Sequence, residues 1–163
     1  MISEIIKKMI AFSDGNIRDI EHFMKVYAYA KTIGELEKLA TEEQLLLEIA
    51  AVTHDIACPL CREKYGSTRW DMQEIEGARL VVDFLAGTGL TDEQIQEISW
   101  LVGHHHRTED VRGQVHRILL EADYLVNAAE KKLDKEAVIK AKEQFFRTDS
   151  GTEILNSMFI SAL

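Results

Sequence analysis

Apolar side chains recur with a helical period along almost the whole of this 163-residue chain. Within residues 16–39, for example, Ile20, Phe23 and Tyr27 follow the spacing of about 3.6 residues that places side chains on one face of a helix. The chain has a single proline, Pro59, so little in the sequence interrupts helix formation. No stretch alternates between apolar and polar residues as a half-buried strand does. We therefore predict an all-α protein.

The periodic pattern divides into successive helices with recognisable starts. Thr91 opens a Thr-Asp-Glu-Gln capping box, and Asp134 stands where another helix would be capped. The predicted helices cover residues 2–12, 16–39, 41–55, 71–86, 91–105, 114–131 and 134–146, with a last short helix from about residue 150. Residues 56–70 are predicted to be the longest irregular stretch. A chain of this length suits a single domain over residues 1–163.

The charge of the chain limits the partners it can bind. The formal net charge is −9, which disfavours a broad surface for nucleic acid or anionic membrane. A small phosphorylated substrate remains compatible, since it needs only a local cluster of cations. Glu4, Lys7 and Lys8 interrupt the N-terminal apolar stretch, and no apolar run looks long enough to span a bilayer. We expect a cytoplasmic protein whose partners include neither a nucleic acid duplex nor a membrane.

A histidine and a carboxylate stand side by side at the end of the most apolar helical run. His54-Asp55 follows LLLEIAAVT, and His22 and Asp123 each lie within another apolar helical run. A carboxylate on a buried helix is costly unless it is paired, and imidazole and carboxylate together are ligands for divalent metals. A single histidine such as His22 is more often an ordinary core or boundary residue.

Asp123 also has two interpretations. It lies either on a solvent-facing side of its helix with Glu121 and Glu130, or inside the protein and paired. Asp123 and Glu130 are seven residues apart and therefore share a helical face.

Three consecutive histidines, His104, His105 and His106, end the apolar run ISWLVG. One or two of them could face a pocket, or all could belong to a solvated helix C-terminus, where histidine suits the helix dipole. Cys58 and Cys61 follow the His-Asp doublet; they are either ordinary thiols, or a redox pair or part of a metal site. The histidines and carboxylates taken together favour a metal centre.

The segments around these residues resemble the HD-domain metal-dependent phosphohydrolase superfamily. IRDIEHFMKVYAYAKTIG, LLLEIAAVTHDIA, EIEGARLVVDFL, WLVGHHH and LLEADYLVNA are similar, in this order, to the successive helices of that family. The resemblance covers about residues 15–130, and residues 131–163 would add C-terminal helices.

The resemblance implies a helical bundle with a metal site at its centre. His22, His54, Asp55 and Asp123 would bind a divalent ion: Mn, Fe, Ni, Co, Zn or Mg. One ion per chain is expected, or two if His104, His105 or Gln73 bind a second ion; these three could instead contact phosphate.

The sequence departs from the family at three points. Gln73 stands where members with two metals usually have a histidine, and an amide oxygen is a poorer ligand for transition metals than imidazole. A Gly-Tyr-Pro extension typical of the branch that cleaves cyclic dinucleotides is absent after His106. Cys58-Pro59 replaces the small and basic pair often found after the doublet.

The activity implied is hydrolysis of a nucleotide or another small phosphoester by metal-activated water. Asp55 would orient the water, and Arg18 and His105 are further candidate catalytic residues. Candidate substrate-binding cations flank the ligand segments, although each could equally be a solvated surface charge; they are Arg62, Lys64, Arg69 and Arg107. Two other functions remain open: a di-iron oxygenase on the same fold, which needs two irons, and a non-catalytic module stabilised by metal.

Overall fold

Nine α-helices follow one another in the computed structural model, which describes residues 1–161 and has no strand in that part of the chain. The all-α prediction is confirmed, and most predicted boundaries agree within about one helical turn. The helices are α1 (Ile2–Phe12), α2 (Ile17–Leu36), α3 (Thr41–Thr53), α4 (Cys58–Tyr65), α5 (Trp70–Leu85), α6 (Asp92–Val102), α7 (Gly113–Glu130), α8 (Lys135–Phe145) and α9 (Asp149–Leu155), and a π-helical turn (Asn156–Ile160) follows.

The stretch 56–70 contains a helix that the sequence analysis did not predict. Pro59 suggested the end of α3, but it lies in the first turn of α4, where its missing N–H costs no hydrogen bond. Gly66 ends α4 in the left-handed conformation, with φ of 67°. The prediction of one long irregular stretch was therefore wrong, because the same proline both closes one helix and starts the next.

Helix α3 is the centre of the bundle. Every residue from Leu47 to Thr53 is buried, as expected for a helix that is apolar on nearly all sides. It packs against α1, α2, α6 and α7, and α2 also packs along α7. The chain therefore brings the C-terminal end of α3, where the His-Asp doublet lies, between α2 and α7.

A glycine allows α5 and α6 to pack closely beside the end of α3. A Cβ atom at Gly77 would lie 2.9 Å from Cγ1 of Val102 and 3.9 Å from the backbone oxygen of His54. No larger residue fits without movement of Val102. The tight packing holds α5 and the C-terminal end of α6 against the segment that carries the doublet.

The capping predictions hold for two helices. Thr91 and Gln94 form the capping box of α6, and the carboxylate of Asp134 accepts from the backbone N–H of Ala137 at 2.8 Å at the start of α8.

Glu121 is wholly buried, so it does not belong to a solvent-facing side of α7. Its Oε1 accepts from the backbone N–H groups of Arg147, at 2.7 Å, and Thr148, at 3.0 Å, and its Oε2 accepts from the Thr148 hydroxyl. Glu121 thereby attaches the start of α9 to α7.

The segment Thr41–Tyr65, which combines α3 and α4, has the length and composition of a bilayer-spanning helix, contrary to the expectation from the sequence. Its most apolar window has a mean hydropathy of 1.3, but 67% of that window is buried inside the protein. A core helix meets the same criteria, so this is weak evidence for a membrane span.

Candidate metal centre

Three helices bring the predicted ligand residues to one place. His22 lies on the buried face of α2, His54 and Asp55 directly follow α3, and Asp123 lies on the buried face of α7. His22, His54 and Asp123 are 8%, 0% and 7% exposed. Asp123 is therefore inside and paired, which decides between its two interpretations.

The Nε2 atoms of the two imidazoles lie close to each other and to the carboxylates of Asp55 and Asp123. Nε2 of His22 is 3.3 Å from Nε2 of His54, 3.2 Å from Oδ1 of Asp123 and 3.4 Å from Oδ2 of Asp55. Nε2 of His54 is 3.4 Å from each of the same two carboxylate oxygens. Four side chains from distant parts of the chain thus point their donor atoms at one small volume.

The Nδ1 atoms of both imidazoles form hydrogen bonds with residues outside this group of four. Nδ1 of His54 is 2.8 Å from the backbone oxygen of Ala51, and Nδ1 of His22 is 3.0 Å from Oε2 of Glu130. Each Nδ1 must donate its hydrogen, because each partner is only an acceptor. In the neutral rings both Nε2 atoms then present lone pairs to each other and to two carboxylates. Such an arrangement is repulsive unless a metal ion lies between them or an imidazole is protonated.

The pKa values of the four side chains also indicate that the site favours positive charge. Burial lowers the pKa of His54, but the carboxylates of Asp55 and Asp123 raise it, and the net pKa lies well above its usual value. The pKa of His22 is also raised: burial lowers it, but the hydrogen bond to Asp123 and the charges of Asp55 and Asp123 together outweigh that effect. Burial raises the pKa values of Asp55 and Asp123, yet the nearby histidines bring both well below their usual range. The site therefore stabilises positive charge.

The donor set fits a divalent metal ion. Ligand atoms about 2.1 Å from one ion stand about 3.0 to 3.4 Å apart, depending on whether they are arranged octahedrally or tetrahedrally. Each imidazole Nε2 atom lies 3.2 to 3.4 Å from the other and from the two carboxylate oxygens, and these distances match that range. Two carboxylates would also balance the two positive charges of the ion.

His105 extends this cluster. Its Nδ1 donates to the backbone oxygen of Val102 at 2.7 Å, and its Nε2, 3.4 Å from Oδ1 of Asp55, is buried without a hydrogen-bond partner among residues 1–161. His54, Asp55 and His105 thus form a second group that could hold a metal, and it shares His54 with the group of His22, His54 and Asp123.

His104 and Gln73, the other candidate ligands of a second ion, lie outside the two groups that could hold a metal. His104 stacks on Trp100, with ring centroids 4.1 Å apart, and does not belong to either metal-binding group. Gln73 is buried; its amide N–H donates to the backbone oxygen of Thr68, and its Oε1 has no partner within the described chain. Gln73 thus keeps an amide oxygen without a partner within residues 1–161, whereas the ring of His104 is engaged in stacking.

A cavity of about 740 Å³ opens on the metal centre, lined by His22, Asp55 and Asp123 on one side and by Arg18, Arg62 and Gln73 on the other. Arg18 is exposed and has no ion-pair partner within residues 1–161. Arg62 also lines the cavity, but its guanidinium binds the carboxylate of Asp19. Of the predicted cations, Arg18 is thus the one free to meet an anion here.

The three remaining cations lie outside this cavity and have acidic partners. Lys64 binds Glu76 at 2.7 Å, Arg69 binds Asp71 at 2.9 Å, and Arg107 binds Glu74 at 2.9 Å. These contacts match the alternative of solvated surface charges most closely for Lys64 and Arg69.

The two cysteines are free and buried. Cys58 lines the cavity, and burial together with the carboxylates of Asp55 and Asp19 raises its pKa far above the ordinary value. Burial and Glu76 also raise the pKa of Cys61. Both thiols are therefore protonated at neutral pH, which favours the interpretation as ordinary thiols over a reactive pair.

Two residues of the site were missed by the sequence analysis. Glu130 accepts from His22, and the amide N–H of Asn127 donates to Oδ1 of Asp123 at 2.9 Å. Both lie on α7. Asn127 is four residues after Asp123 and Glu130 is seven residues after it, so the helical repeat places all three on the same face. That spacing was the available signal.

A family model described as HD domain matches residues 19–152, which extends beyond the predicted end of the resemblance at about residue 130. No curated protein matches the chain. Among solved structures, the chain is similar to the crystal structure of a predicted HD superfamily hydrolase from an uncultured Thermotogales bacterium. The two share 22% identity over 95% of this chain and 83% of the other, with a TM-score of 0.69. At this identity the likeness shows a common fold.

Proposed function

The chain belongs to the HD domain family, whose model matches residues 19–152, and on this premise we propose that it is a metal-dependent phosphohydrolase. Its substrate would be a nucleotide or another small phosphomonoester. The observation that carries the proposal is the convergence of two imidazole lone pairs and two carboxylates at 3.2 to 3.4 Å beside an open cavity.

A divalent ion bound by His22, His54, Asp55 and Asp123 would polarise a phosphoryl oxygen and lower the pKa of a bound water. The mixed nitrogen and oxygen donors suit Mn, Fe, Co, Ni or Zn better than Mg, which prefers oxygen ligands alone.

Asp55 and His105 would transfer protons in the proposed reaction. Oδ2 of Asp55 faces the two metal-binding histidines, whereas Oδ1 faces Nε2 of His105 at 3.4 Å. Asp55 would orient the attacking water and accept its proton, and Nε2 of His105 would take that proton from Oδ1 of Asp55. The leaving oxygen would receive its proton from solvent in the open cavity as the phosphorus–oxygen bond breaks.

Arg18 would bind the phosphoryl group. Its guanidinium lies at the cavity and lacks an acidic partner within the described part of the chain, so it can neutralise charge on the phosphoryl oxygens. A cavity of about 740 Å³ is of the size that takes small molecules, and the net charge of −9 is consistent with a small substrate.

The test begins with protein stripped of metal and reloaded with Mn, Fe, Co, Ni, Zn or Mg. We expect phosphate release from at least one member of a panel of nucleotides and other phosphomonoesters, and at least a hundredfold loss of kcat in Asp55→Asn. The matched control is Asp83→Asn, which changes an exposed aspartate of α5.

Circular dichroism melting must show that both variants fold. A folded Asp55→Ala variant with full activity would refute the proposal. Metal binding with no turnover of any substrate would instead support a non-catalytic module.

A further inference from the structure

One aromatic residue beside the cavity is not explained by the metal chemistry. Trp70, the first residue of α5, is 51% exposed, whereas tryptophan is usually well buried. It lines the cavity of the metal centre and also a second cavity, the outer cleft, of about 650 Å³. The outer cleft is lined by Trp70, Trp100, His104, His106, Arg107, Thr108, Glu109 and Asp110. Trp70 and His106 therefore form the boundary between the two cavities.

The two tryptophans of the outer cleft differ in how fully their rings are covered. The ring of Trp100 stacks with His104 at 4.1 Å and an interplanar angle of 12°. The guanidinium carbon of Arg112 lies 3.7 Å from the centre of the same ring. Trp100 is thus a packed structural residue, and Trp70 is the one with aromatic surface to offer.

Arg107 borders the exposed ring of Trp70. Its guanidinium carbon lies 5.5 Å from the centre of that ring, and its Nε donates to Oε2 of Glu74 at 2.9 Å. Glu74 is only 2% exposed and also accepts from the backbone N–H of His106 at 3.2 Å. A buried carboxylate therefore fixes both Arg107 and the segment next to it, so this wall of the outer cleft is preorganised.

We propose that Trp70 and Arg107 bind the planar aromatic group of the substrate, while its phosphoryl group reaches the metal centre; this inference rests on the proposed function. The substrate class is then a nucleoside monophosphate. An aromatic base can stack on Trp70 and beside a guanidinium plane without regard to its hydrogen-bonding pattern.

The experiment follows Trp70 directly, without relying on turnover. The chain has two tryptophans, so protein labelled with 5-fluorotryptophan gives two ¹⁹F signals, and Trp70→Phe identifies one of them. The metal-loaded protein is titrated with adenosine and uridine 5′-monophosphates, and with ribose 5-phosphate as the ligand that lacks a base. We expect both nucleotides to shift the Trp70 signal and to leave the Trp100 signal nearly unchanged.

Substitutions measure the strength of the contact. Trp70→Leu should weaken binding of the nucleoside monophosphates about ten- to hundredfold and leave binding of ribose 5-phosphate unchanged, and Trp70→Phe should restore part of the loss. The control is Tyr65→Leu, which removes an aromatic ring that is 40% exposed and lies outside both cavities.

The two proposals fail in different ways. If nucleotides are hydrolysed but neither shift the Trp70 signal nor respond to Trp70→Leu, the stacking site is refuted and the hydrolase stands. If ribose 5-phosphate binds as tightly as the nucleotides, the stacking site is likewise refuted. If nucleotides shift the Trp70 signal and no metal supports turnover, the stacking site is supported and the hydrolase fails.

Discussion

Glu130 acts on the metal centre through His22. Its Oε2 receives the Nδ1 hydrogen of His22 at 3.0 Å and so keeps Nε2 free to bind metal. Glu130→Gln retains an acceptor but loses the charge that makes the imidazole more basic. We predict about tenfold weaker metal binding, measured by competition with a coloured chelator.

The control for Glu130 is Glu63→Gln, an exposed glutamate of α4, which should bind metal like the wild type. The melting temperature of metal-free protein should change little in either variant. Unchanged metal affinity in Glu130→Gln would show that the contact with His22 has no role in binding.

Glu121 should make stability depend on pH. Burial raises its pKa above the ordinary value of 4.5, although the N–H groups of Arg147 and Thr148 partly offset this. Between the unfolded and folded pKa values the folded protein binds more protons than the unfolded chain, so stability falls as pH rises through that window. Each pKa unit of the shift corresponds to about 1.4 kcal/mol.

The measurement compares urea unfolding of wild type and Glu121→Gln from pH 4.5 upward. The wild type should lose free energy of unfolding relative to the variant as pH rises, because only the wild type must ionise a buried carboxyl group. A constant difference across the range would contradict the assignment to Glu121, since the other titrating groups are common to both proteins.

At the residue scale, the sequence identified the candidate ligand residues that the structure brings together, but not their hydrogen-bond partners. His54-Asp55 stood out because a charged pair ends a strongly apolar run, and Asp123 because its helix is buried. Glu121 and Glu130 lie on the same helix and look alike in sequence. Only the neighbouring elements determine that one attaches α9 and the other faces His22.

Among the elements, the packing of α5 on α6 depends on the absence of a side chain at Gly77. Alanine would gain about 1 kcal/mol in helix propensity, but its Cβ would lie 2.9 Å from Cγ1 of Val102, and overpacking of this kind typically costs about 1–3 kcal/mol. We predict that Gly77→Ala lowers the free energy of unfolding by about 1 kcal/mol, measured by urea denaturation.

The control for Gly77 is a double-mutant cycle. Val102→Ala removes the methyl group that the new Cβ would meet, so the loss from Gly77→Ala should disappear in the Val102→Ala background. Equal losses in the two backgrounds would mean that another contact limits the approach of α5 to α6.

The helices differ in how clearly the sequence marks them. Thr91 and Asp134 begin α6 and α8 where their capping side chains predict. Helix α4 was missed because Pro59 is compatible with both the end of one helix and the first turn of another. Its eight residues also give too short an apolar pattern to tell a helix from a loop.

For the whole molecule, local pattern determines the fold class, but it does not determine which residues meet. Helical periodicity predicted an all-α chain without reference to long-range contacts. The approach of His22 to Asp123, which are 101 residues apart, depends on how α2 and α7 pack around α3. The histidines and carboxylates of the sequence favoured a metal centre, but the complete set of His22, His54, Asp55 and Asp123 was assigned through the resemblance to the HD domain family.

The metal should stabilise the whole molecule, because its ligands come from α2, α7 and the end of α3. An ion that binds only the folded chain adds about 2.7 kcal/mol at one hundred times its dissociation constant. In a chain of this length that corresponds to about 5 to 10 °C in melting temperature. We predict this rise when chelated protein is reloaded, with about one ion per chain by elemental analysis.

His22→Gln should abolish most of this rise, whereas Asp83→Asn should keep it, since only the first residue lies among the converging donor atoms. The comparison separates a specific site from general binding of cations to a chain with a net charge of −9, which both variants would still show. Equal melting temperatures with chelator and with saturating Mn, Fe, Co, Ni and Zn would mean that the four side chains hold no ion. The cluster would then be stabilised by protonated histidines, and the rise in melting temperature would have to appear on lowering the pH instead.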